Sequence, residues 1–221
     1  MDIGQDGAGL RERKKLQTRI ALSWAAIRLT VERGWDNVRV EDIAADVGVS
    51  PRTFNNYFSS KAEAIASRHL DRARLIAAEL RARPASEPIW EAVVNAVTAR
   101  FDMREDGDRA KDDTGALPEV SHDQWAAGLR VMLAEPAMHG EFLKAGAIAE
   151  AELAAAVAER TGTDVVRDLY PRLVAAAVGA ALGVVMDHWV RTNGSAPLMS
   201  LLHDALGRIS AGLPDPRTPP A

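Results

Sequence analysis

The chain has 221 residues, enough for one large domain or two small ones with buried cores. It contains no cysteine, which excludes disulfides, thiolate metal sites and cysteine nucleophiles and suits a reducing cytosol. A net charge of −4 hides a split, because residues 10–83 carry 15 Lys/Arg against 9 Asp/Glu and the remainder carries 12 against 22. Such asymmetry points to a basic part facing a polyanion and an acidic part with another task.

Residues 1–9 are small, polar and acidic, unlike a signal peptide, and are expected to be a disordered tail. Apolar residues then recur at helical spacing, as in Leu16, Ile20, Trp24, Ile27 and Val31, and no run alternates as a strand does. The reading is an all-α protein of about nine helices. A first helix is predicted from about Leu10 to Arg33, stopped by Gly34. Two short helices follow at roughly 40–47 and 51–57, and a longer one starts after Ser60, where Ser60 and Glu63 have capping-box spacing, and ends before Pro84.

Val38 to Lys61 reads VRVEDIAADVGVSPRTFNNYFSSK. Val40, Ile43, Ala44 and Val47 give the first short helix one apolar face, Gly48 permits a sharp turn, and Val49 fills the angle between helices. Ser50 is an N-cap and Pro51 stands at the first helical position, so a second helix begins at once. Phe54 and Phe58 tie that helix to the core, which leaves Arg52 and Asn56 about 180° away, with Thr53 and Asn55 on the flanks. These types suit a major groove, since Arg reaches guanine O6 and N7, Asn pairs with adenine, and Thr meets a thymine methyl or a phosphate. Ser50 is counted with the DNA-binding residues, Tyr57, Lys61 and Arg39 are placed as backbone anchors, and Arg11, Arg13, Lys14 and Lys15 as sources of further phosphate contacts.

Beyond Pro84, Ser86 to Pro88 starts a helix with the apolar stripe Trp90, Val93, Val94, Val97 and Phe101. Asp102 to Ala116 is charged and reads as a loop. Helices resume over Glu119–Ala134 and Ala137–Arg160, then at about 168–191 and 197–212, before the proline-rich tail 214–221. The longest apolar run, Leu173 to Met186, is shorter than the ~18 residues of a membrane span and is flanked by Arg172 and Asp187. It reads as a buried helix, and no membrane partner is expected.

Gly34-Trp35, VEDIAADVGVSPRTF, Tyr57-Phe58 and Lys61, over about residues 15–65, resemble the N-terminal domain of TetR/AcrR-type regulators, especially actinobacterial ones. The resemblance implies a homodimeric cytoplasmic repressor with an N-terminal three-helix helix-turn-helix domain, 10–59, and a C-terminal ligand-binding and dimerisation domain, 60–213. It also implies double-stranded operator DNA and a small inducer as partners. Arg39 stands where many members have a capping Thr, and Asn55 where many have an aromatic. The first departure changes how phosphate is gripped, and the second leaves the operator open.

In the C-terminal half, Val174, Val178, Leu182, Val185 and Trp189, with Leu202, Ala205 and Ile209 of the last helix, form stripes suited to a four-helix dimer interface. An internal core is the alternative, since periodicity does not say which chain covers a stripe. Trp90, Phe101, Trp125, Met132, His139 and Phe142 are the candidate wall of an inducer pocket, although such residues are more often core. By analogy with similar regulators, the inducer is apolar or acyl-CoA-like. The histidines are dispersed and no hydrolase, zinc or P-loop motif occurs, so neither an enzyme nor a metal or cofactor is expected. An activator or architectural DNA-binding protein without a ligand, and a helical enzyme with a vestigial DNA head, are the competing readings.

Overall fold

A computed structural model describes residues 4–101, 127–130 and 135–215, with side chains from Gly9 onward. These residues form eight α-helices and one 3-10 turn, with a further helical turn at 127–130 and no strand among them. The helices are α1 (Gly4–Arg33), α2 (Val40–Val47), α3 (Pro51–Asn55), α4 (Lys61–Ala82), α5 (Ile89–Thr98), α6 (Pro136–Thr161), α7 (Leu169–Arg191) and α8 (Leu198–Ser210); the 3-10 turn is Trp35–Asn37. The charged stretch 102–116, most of the helix expected over 119–134, and residues 216–221 of the proline-rich tail lie outside the described residues. α1 starts at Gly4 rather than at Leu10, so the helix takes in part of the segment expected as a tail. A glycine inside a helix costs only about 1 kcal/mol, and Gly7 and Gly9 alternate with the good helix formers Ala8 and Leu10.

Two compact units divide the chain, and both draw on α4 and α6. The division falls at His69/Leu70, inside α4. In the first unit, described over 4–69, 127–130 and 135–145, the core is built from Leu22, Ala26 and Leu29 of α1, Ile43 and Ala44 of α2, Phe54 and Phe58 around α3, and Ile65 of α4. A buried hydroxyl pair joins α1 to α4, with Ser23 and Ser67 Oγ atoms 2.9 Å apart. Each hydroxyl also has a carbonyl within reach, Arg19 O and Ala64 O, so both polar groups are satisfied inside the core.

The second unit, described over 70–101 and 146–215, packs α8 against α7 and α5. Its core includes Leu80, Val93, Val97, Val157, Val178, Trp189, Leu202 and Leu206. α7 is long and apolar enough by composition to cross a membrane, but its Val174–Trp189 stripe is buried within its own unit. Gly194 closes the turn after α7 at φ +68, where a Cβ would stand 3.1 Å from the Trp189 ring, so a larger residue meets both backbone strain and a clash.

α4 and α6 are tied by ion pairs two turns apart on each helix, Arg74 with Glu152 at 3.6 Å and Arg81 with Glu159 at 2.7 Å. Partners that advance together along both helices require the helices to run parallel here. Arg160 then closes the end of α4 by donating to the carbonyls of Arg83, Pro84 and Glu87. The Glu87 carboxylate accepts from Arg83 and Asn95, and the bond from Arg83 holds its pKa below the usual range against the opposing effect of burial. Arg160→Ala removes a charged donor from all three carbonyls, of which Pro84 keeps the Glu87 N–H, and is expected to destabilise the protein by about 1–3 kcal/mol, measured by urea denaturation, while Arg167→Ala on the exposed loop leaves the midpoint unchanged.

Candidate nucleic-acid interface

The segment between α2 and α3 is shaped by three residues. Gly48 adopts φ 73 and ψ 30, the left-handed conformation that a side chain disfavours, and its N–H donates to Ala44 and Ala45 carbonyls. The Val49 N–H reaches the same Ala44 carbonyl at 2.9 Å, so the chain reverses with its helix-end acceptors used. Ser50 caps α3 by accepting from the Thr53 N–H at 3.1 Å, and Pro51 occupies the first helical position.

α3 is only five residues long and is held by its aromatic side. Phe54 is fully buried, and its ring centroid lies 5.7 Å from that of the nearly buried Phe58 in a tilted pair. The opposite side carries Arg52 and Asn56, with Asn55 on its flank, all exposed. Thus the structure places the expected base-reading residues together on one solvent-facing surface, with Tyr57 half-buried at its margin.

Three other residues expected to reach DNA also have contacts within the protein. Thr53 is half-buried, and its hydroxyl lies 2.9 Å from that of Ser50, so both serve the cap of α3. Arg39 is exposed at the N-cap of α2, where its backbone N–H donates to the Asp42 carboxylate at 2.8 Å; a guanidinium has no acceptor and cannot replace the hydroxyl of a capping Thr. The Lys61 ammonium donates to the carbonyls of Trp35 and Val38 and lies 4.1 Å from the Trp35 ring centroid, so it clamps the start of α4 to the 3-10 turn. Burial lowers its pKa, and Asp36 and Glu135 partly oppose that shift.

Trp35 sits directly after the helix-ending Gly34, but only the fold shows that its ring and carbonyl receive a lysine from 26 positions later. Glu63 is equally specific. Ser60 Oγ accepts from the Glu63 N–H, as the capping-box spacing predicts, while the Glu63 carboxylate reaches back to the N–H and hydroxyl of Ser59. Burial raises its pKa, but the Ser59 bonds outweigh this and leave it below the ordinary value.

The expected pocket wall does not assemble in one unit. Trp90, half-buried, and Phe101, buried beneath the Arg72 guanidinium at 4.6 Å, belong to the second unit. Phe142, edge-on to His69 at 6.2 Å, and the exposed His139 belong to the first. Trp125 and Met132 lie outside the described residues.

The stripe expected at a dimer interface is divided between the chain's own core and its margin. Val174, Val178, Val185, Trp189 and Leu202 are buried by their own chain, with Leu182, Ala205 and Ile209 half-buried beside them. An apolar face of α7 lies about half a turn away, where Leu169, Leu173 and Val184 are 75%, 62% and 68% exposed and Ala176 and Ala180 stand between them. Both stripes have helical periodicity, and the intrachain core took the one with the larger side chains.

Comparison with known proteins agrees with this geometry. Residues 24–66 match the family model for bacterial regulatory proteins of the tetR family, and residues 87–214 match the model for the MftR C-terminal domain. The chain is 34% identical over 186 residues to the HTH-type transcriptional regulator TcmR of Streptomyces glaucescens, covering 83% of this chain and 78% of that one. A crystal structure described as a TetR-family transcriptional regulator from Rhodococcus sp. superposes with a TM-score of 0.56 at 21% identity, over 90% of this chain and 99% of that one. SmeT of Stenotrophomonas maltophilia in complex with triclosan gives 0.50 at 18% identity, over 92% and 97%.

Arg52→Ala and Asn56→Ala are each expected to cost about 1–3 kcal/mol of base discrimination in binding titrations with single-base operator variants, without lowering the melting temperature. Lys61→Met, by contrast, lowers the melting temperature, because two carbonyls lose a charged donor. The Glu63 contribution is complete above the ordinary carboxylate pKa and is lost as pH falls through its lowered folded value. Stability of Glu63→Gln measured from pH 7 to pH 3 should therefore fall less steeply with acid than that of the parent.

Proposed function

The chain belongs to the TetR family of DNA-binding transcriptional regulators, which are not enzymes, and from that premise we propose a homodimeric repressor that a small apolar or acyl-CoA-like ligand releases from its operator. The observation that carries this reading is the exposed Arg52, Asn55 and Asn56 surface, backed by the buried Phe54 and Phe58. Arg supplies a planar fork of donors and Asn a paired donor and acceptor, the groups that discriminate bases in the major groove. DNA binding is assigned to residues 10–59 and ligand binding and dimerisation to 60–213. The cytoplasm is the proposed site of action.

Dimerisation is assigned to the outer face of α7, from Leu169 through Leu173, Ala176 and Ala180 to Val184. Its alanines permit close helix approach, while its exposed leucines and valine supply apolar area that water otherwise covers. Two copies related by a twofold axis present two reading heads, the arrangement that matches a palindromic operator.

For the ligand, Trp90 and Phe101 of the second unit are wall candidates, and SmeT with triclosan is a fold neighbour holding a small apolar molecule. α4 contributes to both units as one continuous 22-residue helix, a route by which occupancy of the second unit changes the setting of the first. Release requires that the ligand bind the DNA-free arrangement more tightly than the DNA-bound one.

Gel-shift and footprinting with the DNA upstream of the chain's own gene should give a protected palindrome whose occupancy falls with salt. Binding without sequence preference would sink the reading. In sedimentation velocity, Leu173→Glu and Val184→Glu should yield folded monomers with weakened operator affinity. If both variants remain dimeric, the α7 face is not the interface.

A further inference from the structure

α1 extends beyond the core it helps to build. Leu22, Ala25, Ala26 and Leu29 are buried, whereas every side chain from Leu10 through Gln17 is exposed. At about 100° per residue, Arg11, Lys14 and Lys15 lie within about 70° of the line through Leu22 and Leu29. The face that meets the core later in the helix therefore becomes basic where the core ends. Glu12, the acid in this stretch, lies about 100° from Arg11 and about 60° from Lys15, so it offsets part of that lysine's charge and leaves the stripe net basic.

Contacts along α1 show where this basic end emerges. Arg28 pairs with Asp46 near the end of α2, Ser23 meets Ser67 of α4, and the Arg19 guanidinium lies 5.5 Å from the centroid of Phe58, just after α3. Continuing in the same direction, Lys15 is one turn and Arg11 two turns beyond Arg19, about 6 and 12 Å further along the axis. The basic stripe thus starts beside the turn that ends the base-reading helix and runs on past it. Like charges at i, i+3 and i+4 weaken an isolated helix, and a polyanion lying along the stripe would relieve that repulsion.

We infer that residues 11–15 of α1 form a second DNA contact, in which Arg11, Lys14 and Lys15 bind backbone phosphates of the duplex flanking the bases faced by α3. This rests on the reading of α3 as the base-reading helix. The arm supplies affinity and salt dependence and leaves sequence choice to Arg52 and Asn56.

The test uses the full chain and a duplex enriched by the parent protein from a randomised pool, both with one helical turn of flanking DNA and trimmed to the protected bases. The triple variant Arg11→Gln, Lys14→Gln, Lys15→Gln should keep the parent melting temperature and base preference. Its slope of log affinity against log salt should become shallower by about 0.9 per lost contact on the flanked duplex and change little on the trimmed one. The double variant Lys14→Arg, Lys15→Arg should preserve the parent slope. A triple variant with the parent slope and affinity on flanked DNA, while Arg52→Ala loses base preference, overturns the arm and spares the α3 reading. Failure of the parent chain to enrich any sequence overturns both.

Discussion

A helix of five residues has too few internal hydrogen bonds to persist in water, so α3 depends on the burial of Phe54 against the first unit's core. Fixing one side of so short a helix also fixes the other, because the angular step per residue is set by the backbone. Arg52 and Asn56 therefore face solvent as a consequence of where Phe54 sits. The Ser50 cap and the Gly48 turn set where the helix starts, and the Phe54–Phe58 pair sets its rotation. Reading a duplex needs both, since a base edge offers its donors and acceptors in one direction only.

Around this helix, several polar side chains have structural work that competes with reaching DNA. Lys61 uses its charge on the carbonyls of Trp35 and Val38, and Thr53 and Ser50 share a hydroxyl contact. A side chain committed to the protein holds its neighbours in place before DNA arrives, which lowers the ordering cost of binding. The first unit thus separates residues that present the surface from those that stiffen it. α4 starts at the Lys61 clamp and ends at the Arg160 cap, so both ends of the helix shared by the two units are held by cations on carbonyl oxygens.

α7 shows how burial divides two stripes of one helix. Val174, Val178, Val185 and Trp189 are large enough to fill the space against α8, and they are the ones enclosed. Leu169, Leu173, Ala176, Ala180 and Val184 remain outside as a flatter surface. Burying the bulkier stripe removes more apolar area from water, and the smaller residues leave a face that a second helix can approach closely.

The amino-acid sequence determined the helical class, the positions of α2, α3 and α4 to within a residue or two, and the Arg52, Asn55 and Asn56 surface, because these follow from periodicity, capping chemistry and short-range turn residues. Ser50-Pro51 and Gly48 act within three or four positions of themselves, a distance over which sequence and geometry are nearly the same information. Only the tertiary structure decided that Lys61 faces Trp35, that Arg160 caps the end of α4, that His139 lies exposed, and which stripe of α7 is covered by its own chain. Each of those outcomes depends on a partner tens of residues away or on a choice between two equally periodic faces, and periodicity along one helix carries no record of what packs against it.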